Sequence, residues 1–377
     1  MTAAPRLHFG IILSSLQRLP GGLETMARGV AEALAQRGHS VTTIAGGGLP
    51  GHSAGVAGVA TLTVFCPSLN GRPGRALKRF RPGWALAVQS RSFILACRAT
   101  PSVFRHILKC SVTMTFLELE TVAVSQWRAR VGRPNISYFP GVIRWSDLRK
   151  DRSVVRLAAS ETLAASYRHL PELPFDGVLY PGIDSDTVQS TARATRAQVS
   201  RILFVGRLES NKGIATLLEI ARSLAANGAS LELRLAGDGP LRSEVTRAAE
   251  TLAGAMRLVP LGSLTAADVR LELQAADVFL FPSRYESFGI AVLEALAAGV
   301  PVICSDLPAL REVAGESAVF VAPSDTNGWI NATLRLLQDP GQRQRLSELG
   351  RARARLFSWE ATAARLEAHA YRIAAPL

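Results

Sequence analysis

Twice along the chain, short runs rich in β-branched and aromatic residues alternate with longer stretches of helical patterning. That rhythm restricts the fold more than any other feature of the sequence. Strands separated by helices join through crossover connections into parallel sheets covered by those helices. In the first half, Leu7–Leu13 and Ser40–Ala45 bracket a helix that begins near Leu23, and further strands are expected at Val112–Leu117, Ile136–Phe139, Val154–Ala158 and Val178–Leu179. The rhythm restarts with Ile202–Val205, Leu231–Leu235, Arg257–Leu261, Val278–Phe281 and Val300–Cys304. Between the two series lies SDTVQSTARATRAQVS (Ser185–Ser200), which is polar, small and weakly patterned, as linkers are. The expectation is an α/β chain with two Rossmann-like domains whose parallel sheets face an interdomain cleft. The first domain covers 1–184, the linker 185–200 and the second domain 201–355. A C-terminal helix at 356–377 is expected to pack back toward the N-terminal domain.

At 377 residues, 48% of them hydrophobic, the chain is large enough for two such cores. It holds no run of 18 or more apolar residues. The opening RLHFGIILSSLQRLPGG reads as a first strand and glycine turn rather than a secretory signal. The four cysteines form no CxxC pair and suit neither a zinc framework nor disulfides, so a cytoplasmic location is expected.

Charge is shared unevenly. Residues 1–185 carry 22 Lys and Arg against 10 Asp and Glu, whereas 186–377 carry 21 against 20. No acidic residue occurs between Glu32 and Glu118, an interval containing RPGRALKRFRPGW (Arg72–Trp84) and then Arg91, Arg98, Arg105 and Lys109. A solvated basic face explains this. So does attraction to an anionic membrane surface, with Phe80, Trp84, Phe93 and Ile94 dipping into the interface. No nucleic-acid-binding module is present, and nucleic acid is not an expected partner.

In parallel sheets of this kind ligands bind outside the carboxyl ends of the strands, so chemistry is sought in the loops that follow them. After the first strand come Gly21 and Gly22, a plain turn or a close approach for an anion at a helix start. ILFVGRLESNKGI (Ile202–Ile214) places Arg207 and Lys212 in a strand–turn–helix setting, where two cations can neutralise a diphosphate. In LRLAGDGPLRSEV, Gly237 makes a tight turn and lines a nucleotide pocket or is simply structural; Leu261 ends the next strand, and Thr265 is placed to cap a helix. The fourth loop is RYESFGIAVLEALAAG (Arg284–Gly299). Glu286 lies in it, and Ser287, Phe288 and Gly289 offer backbone N–H groups at the start of a helix beginning near Phe288. Glu294 then sits about two turns into that helix. The small neighbours Ala291, Ala295 and Ala298 leave room for a ligand to reach it, and an ionised carboxylate can accept from two vicinal hydroxyls. The other reading of Glu294 is a residue on the water-facing side of an alanine-rich helix.

GGLE (Gly21–Glu24), YPGID (Tyr180–Asp184), FVGRLESNKG (Phe204–Gly213), AGDGP (Ala236–Pro240) and ADVFLFPSRYESFGIAVLEALAAGVPVICSD (Ala276–Asp306) occur in this order over most of the chain. The last holds two glutamates separated by seven residues and flanked by Ser-Phe-Gly. Together they resemble the GT-B glycosyltransferases of the retaining, family 4-like class. The resemblance implies a sugar moved from a nucleotide-diphosphate donor, with retention of configuration, to a lipid-linked or polysaccharide acceptor. It implies that Glu294 holds the ribose hydroxyls, that Glu286 contacts the donor sugar beside Phe288 and Gly289, and that Arg207 and Lys212 bind the diphosphate. It implies no tightly bound cofactor and no metal, and DSD at Asp184–Asp186 is read as accidental. The N-terminal half departs from the pattern. Where relatives place a histidine, SYFPGVIRW (Ser137–Trp145) has none; His39 belongs to the RGHSV turn before a strand, where a structural role is expected, and His106 is closer to the expected region but nothing around it fixes a role. Glu118 and Glu120 in TFLELE either serve the acceptor side or are surface residues of a helix start. That departure motivates the alternative of a degenerate relative that binds a nucleotide sugar without turnover. A nicotinamide enzyme is disfavoured, because GG replaces GxGxxG after the first strand.

Overall fold

The structure is a computed structural model. Its described residues are 5–15, 22–47, 59–65, 82–141, 154–169, 174–184, 200–226, 230–252 and 256–374. Two compact units emerge, one of residues 1–182 with 359–377 and one of residues 183–358.

The first unit is built on seven parallel strands: β1 (His8–Leu13), β2 (Ser40–Gly47), β3 (Ala60–Phe65), β4 (Val112–Thr115), β5 (Asn135–Phe139), β6 (Val154–Ala158) and β7 (Gly177–Val178), in the order β3-β2-β1-β4-β5-β6-β7. Helices α1 (Gly22–Gln36), α2 (Pro82–Ala99), α3 (Pro101–Lys109), α4 (Glu118–Ala129) and α5 (Glu161–Ser166) follow strands β1, β3, β4 and β6 as the crossovers require. Central strands are buried on both faces, β1 from Phe9 to Leu13 and VTMT throughout. Polar residues inside the sheet are paired: Asn135 Nδ2 donates to Thr115 Oγ1 (3.0 Å) and Ser125 Oγ (3.1 Å), and Thr121 shares a hydrogen bond with Ser137 (2.9 Å). Arg128, fully buried, donates to the carbonyls of Ile107, Cys110, Ser111 and Pro134 and so closes the ends of α3 and α4.

The second unit has six parallel strands: β8 (Ser200–Val205), β9 (Leu231–Ala236), β10 (Met256–Gly262), β11 (Val278–Phe281), β12 (Val302–Ser305) and β13 (Ala318–Val321), in the order β10-β9-β8-β11-β12-β13. Its helices are α6 (Ile214–Ala226), α7 (Arg242–Thr251), α8 (Ala266–Ala275), α9 (Ile290–Ala297), α10 (Pro308–Ala314), α11 (Thr326–Gln338) and α12 (Pro340–Ala354). Thr265 caps α8 in a reciprocal capping box with Asp268. The last helix, α13 (Trp359–Ile373), belongs to the first unit, where it packs on α1. Trp359 lies so close to Gly29 that a Cβ there would stand 2.3 Å from the indole, and Arg37 and His39 bond Glu367. His39 is buried, its Nδ1 accepting from the Leu7 N–H (3.2 Å), so this residue is structural.

Three sequence expectations change in detail. Strands β3 and β13 were not anticipated. Strand β8 begins at Ser200, inside the expected linker, whose other residues lie outside the described ones. Ile183 and Asp184 join the second unit, because the Ile183 N–H donates to the Phe357 carbonyl (2.8 Å).

Candidate active site

Both sheets have the strand order of doubly wound folds, which reverses direction once. The reversal falls between β1 and β4 in one unit and between β8 and β11 in the other. Loops diverge at such points and leave a crevice at the carboxyl edge.

In the second unit that crevice lies between the turn after β8 and the turn after β11. The β8 turn enters a 3-10 turn, Ser210–Lys212, and reverses through Gly213 at φ +73°. Two bonds clasp it to the β11 loop: the Arg284 N–H (2.8 Å) and the Ser283 hydroxyl (3.2 Å) both donate to the Asn211 carbonyl. Gly213 packs directly on the Pro282 carbonyl, 2.0 Å from where its Cβ would be. This clasp brings Lys212 Nζ to 2.6 Å from Glu286 Oε1, across 74 residues of sequence, with side-chain exposures of only 18% and 9%. The ammonium also lies 5.7 Å from the centre of the Phe281 ring. Arg207, on the same turn, is 70% exposed and pairs with Glu209 (2.9 Å).

Gly237 continues this edge from β9. Its N–H donates to the Gly262 carbonyl (2.7 Å), and the Gly206 N–H donates to the Ala236 carbonyl (2.9 Å). Leu261, half-buried, ends β10 beside Gly262. The four successive strand ends therefore form one backbone-bonded rim.

Helix α9 starts at Ile290, not near Phe288 as the sequence suggests. Gly289 adopts φ +100°, a left-handed conformation that redirects the chain before the helix begins, and Ser287 and Phe288 form a bend ahead of it. Phe288 is buried against Phe357, with ring centres 5.8 Å apart. Glu294 is consequently about one turn into the helix rather than two. It does not simply face water. Its surface is half-buried, and its carboxyl is enclosed closely enough that burial, followed by the like charge of Asp184 and opposed by Arg270, pushes its pKa up to about 7. Asp184 and Arg270 approach each other at 3.7 Å, a pair the sequence did not suggest. Ser185 and Asp186 lie outside the described residues.

In the first unit, Gly22 opens α1, while Gly21 lies outside the described residues. Glu118 is the first residue of α4, its side chain likewise undescribed. Glu120 is fully buried, which removes the surface reading. It accepts from the Ser14 N–H (3.2 Å) at the carboxyl end of β1, while its second oxygen, Oε2, makes no hydrogen bond. Burial pushes its pKa up to about 8, with Ser14 and Ser90 acting in the opposite sense. Glu24 is buried on the other side of the same turn, accepts from the Ser15 hydroxyl (2.5 Å), and is raised by burial as well. Glu24 appeared in the sequence only as the last letter of GGLE.

A carboxyl whose folded-state pKa lies above its unfolded value binds its proton more tightly in the fold. Its stabilising contribution is therefore complete at low pH and is lost as pH rises from about 4.5 toward about 8. Glu120→Gln mimics the protonated acid and cannot ionise. The variant should match the wild type near pH 5 and at pH 8 melt higher and be more stable to unfolding by on the order of a few kcal/mol. Parallel melting curves over that range would contradict the burial argument.

Residues 190–353 match the family described as glycosyl transferases group 1. The chain is 31% identical over 221 residues to a glycogen synthase of Mycobacterium tuberculosis, a match spanning 57% of this chain and 53% of that protein. It is 26% identical over 387 residues to a phosphatidyl-myo-inositol mannosyltransferase of Mycobacterium leprae, covering 96% and 95%. The chain thus spans about half the length of the first curated relatives it matches. Among solved structures, a sucrose-phosphate synthase from Thermosynechococcus elongatus superposes with a TM-score of 0.76 at 22% identity, over 97% of this chain and 98% of that one. Two parallel-sheet α/β units and a superposition over nearly the whole chain give the GT-B architecture, and within it residues 190–353 are similar to the group 1 glycosyl transferases.

Proposed function

We propose that the protein is a retaining glycosyltransferase that takes its sugar from a nucleoside diphosphate donor bound to the second unit. The observation that carries this reading is the Lys212–Glu286 pair at the β8–β11 reversal, with Arg207 on the adjacent turn. When the sugar–phosphate bond breaks, negative charge gathers on the departing diphosphate. Lys212 and Arg207 would receive it, and release of Lys212 from Glu286 would free that carboxylate for the sugar hydroxyls. The N–H groups of Ser287, Phe288 and Gly289 and the rim at Gly237 and Leu261 would line the donor. The cations carry out the charge neutralisation in this scheme, which assigns no step to a metal.

The test is a panel of nucleotide sugars screened by thermal shift, followed by a transfer and donor-hydrolysis assay with the product anomer read by NMR. Stabilisation by one donor together with transfer that keeps its anomeric configuration is the expected result. Binding without turnover across many acceptors would favour a non-catalytic nucleotide-sugar binder. An inverted product would overturn the retaining assignment.

Glu294 is proposed to accept from the vicinal hydroxyls of the nucleotide ribose, a task that needs the ionised form. With a pKa of about 7 before binding, the carboxyl is protonated in a substantial fraction of molecules at neutral pH. Binding should therefore release a proton, and affinity for a nucleoside diphosphate should rise with pH up to about 7, by at most about tenfold per unit. Calorimetry in buffers of different ionisation enthalpy reads this directly. Glu294→Gln should abolish the proton release as well as weaken binding.

The acceptor is proposed to engage the first unit, where Glu118 and Glu120 stand at the end of β4, and to be lipid-linked or polysaccharide. No helix of the described residues is long and apolar enough to cross a membrane. Arg91, Leu95 and Arg98 are exposed along one stripe of α2, Leu95 at 67%, and Arg105 and Lys109 are exposed on α3. Phe93 is buried in the core and cannot enter an interface, while Phe80 and the Trp84 side chain lie outside the described residues. Flotation with anionic vesicles should show binding that weakens as salt rises. A protein that stays unbound at low salt would remove the membrane from the proposal.

A further inference from the structure

At the opposite, amino-terminal edge of the first sheet, three side chains with metal-ligating chemistry converge. We propose that His8, His106 and Cys110 form a binding site for a thiophilic transition-metal ion, zinc(II) by preference, that ties the start of β1 to the end of α3. Their ligating atoms all lie within 4.8 Å of one another. Cys110 Sγ is 4.0 Å from His8 Nε2, and the two imidazoles meet edge to face with centres 4.8 Å apart.

The backbone prearranges this meeting. His106 and Cys110 are four residues apart at the end of a helix, so both side chains leave on the same face. That face lies against the first residue of β1. The His8 N–H donates to Ser111 Oγ (3.0 Å), and the Ser111 N–H returns a bond to the His8 carbonyl (2.8 Å), clamping the strand start beside the cysteine. Gly10 leaves the sulfur its space: a Cβ there would stand 2.9 Å from Cys110 Sγ.

A neutral imidazole offers one ring nitrogen with a lone pair for a metal. His106 Nε2 is buried with no hydrogen-bond partner among the described residues, a position that costs free energy unless something pairs with it. His8 Nε2 has Thr42 Oγ1 at 3.1 Å, an interaction a metal would replace. The thiol must lose its proton to ligate, and coordination of the metal supplies the drive for that loss. Binding should therefore release a proton from Cys110.

Zinc–sulfur bonds of about 2.3 Å and zinc–nitrogen bonds of about 2.0–2.1 Å set tetrahedral donor atoms roughly 3.3–3.6 Å apart. The present spacing, up to 4.8 Å, is wider by up to about 1.2–1.5 Å, so binding requires the three side chains to draw together. Two nitrogens and one thiolate form the donor set that favours zinc or copper(I) over magnesium or calcium.

The test uses the full chain, stripped with a chelator and titrated with cobalt(II) chloride. One equivalent should produce a thiolate-to-cobalt charge-transfer band and the intense visible bands of four-coordinate cobalt, and zinc(II) should displace both. Zinc(II) alone should raise the Tm. Cys110→Ser should eliminate the charge-transfer band. His106→Ala, at a half-buried ring whose Nε2 has no partner among the described residues, should fold and bind at least about tenfold more weakly. Absence of the band in the wild type, or its survival in Cys110→Ser, would overturn the proposal. So would unchanged affinity in His106→Ala, which remains decisive if the cysteine variant does not fold.

Discussion

Replacing Lys212 with alanine is expected to lower the rate of the proposed sugar transfer by about 10²–10³-fold, the loss seen when one preplaced charge-stabilising donor is removed. The structure complicates the accompanying effect on stability. Lys212 is the partner of a carboxylate whose side chain is only 9% exposed, and removing it strands Glu286. An unpaired buried charge is costly, so Tm should fall along with rate. The two losses separate in the double variant. Lys212→Ala with Glu286→Gln removes the stranded charge and should recover most of the Tm while transfer stays depressed. Recovery of rate in the double variant would mean that Lys212 merely satisfies Glu286 and has no role toward phosphate. Failure to recover Tm would mean that the loss lies in packing around the 3-10 turn and not in the pair.

The second large effect is on folding itself. Gly237 has φ +144°, and a Cβ added there would lie 1.8 Å from the Gly206 carbonyl oxygen. Neither atom belongs to a flexible side chain, so relief requires the backbone to move. The movement would pull on the Gly206 and Gly237 hydrogen bonds that join the β8, β9 and β10 ends. Gly237→Ala should therefore cost more than about 4 kcal/mol in denaturant unfolding, or yield insoluble protein. Gly262 provides the control. It has φ +70° with nothing within 4 Å of the added atom, so Gly262→Ala should cost only the conformational penalty, about 1–2 kcal/mol. Equal losses at both positions would show that the close approach at Gly237 is unimportant.

Both parallel sheets were legible because buried central strands are nearly continuous apolar runs, and VFLF at β11 was placed to the residue. Strand β13 was not, since AVFV is three half-buried residues and one buried valine beside a helical tail and its period is too short to read. The residues flanking the β8–β11 reversal announced themselves as charges and glycines at strand ends. Their meeting did not, because it depends on strand order and on bonds from Asn211 to a loop more than 70 residues away. Gly289 misled because Ser-Phe-Gly before an apolar run looks like a helix start, whereas its left-handed turn precedes one. Glu120 misled for a different reason. Glutamate at the first turn of a helix ordinarily faces water, and its buried partner Ser14 lies 106 residues earlier. The histidine–cysteine cluster was hidden because cysteine spacing alone says nothing when the other ligand starts a strand about a hundred residues upstream.

The division of the chain also governs the order in which it can fold during synthesis. The second unit is one uninterrupted segment, 183–358, and has all of its strands once that segment has left the ribosome. The first unit does not, although its sheet is made earlier. Its α1 surface is covered by α13, and Trp359 fills the spaces left by both Gly29 and Gly182. Until residues 359–377 emerge, that surface stays uncovered for the whole time the second unit takes to be translated. The unit begun first is completed last, and a nascent chain stalled within residues 183–358 should bind a holdase chaperone through the bare α1 face.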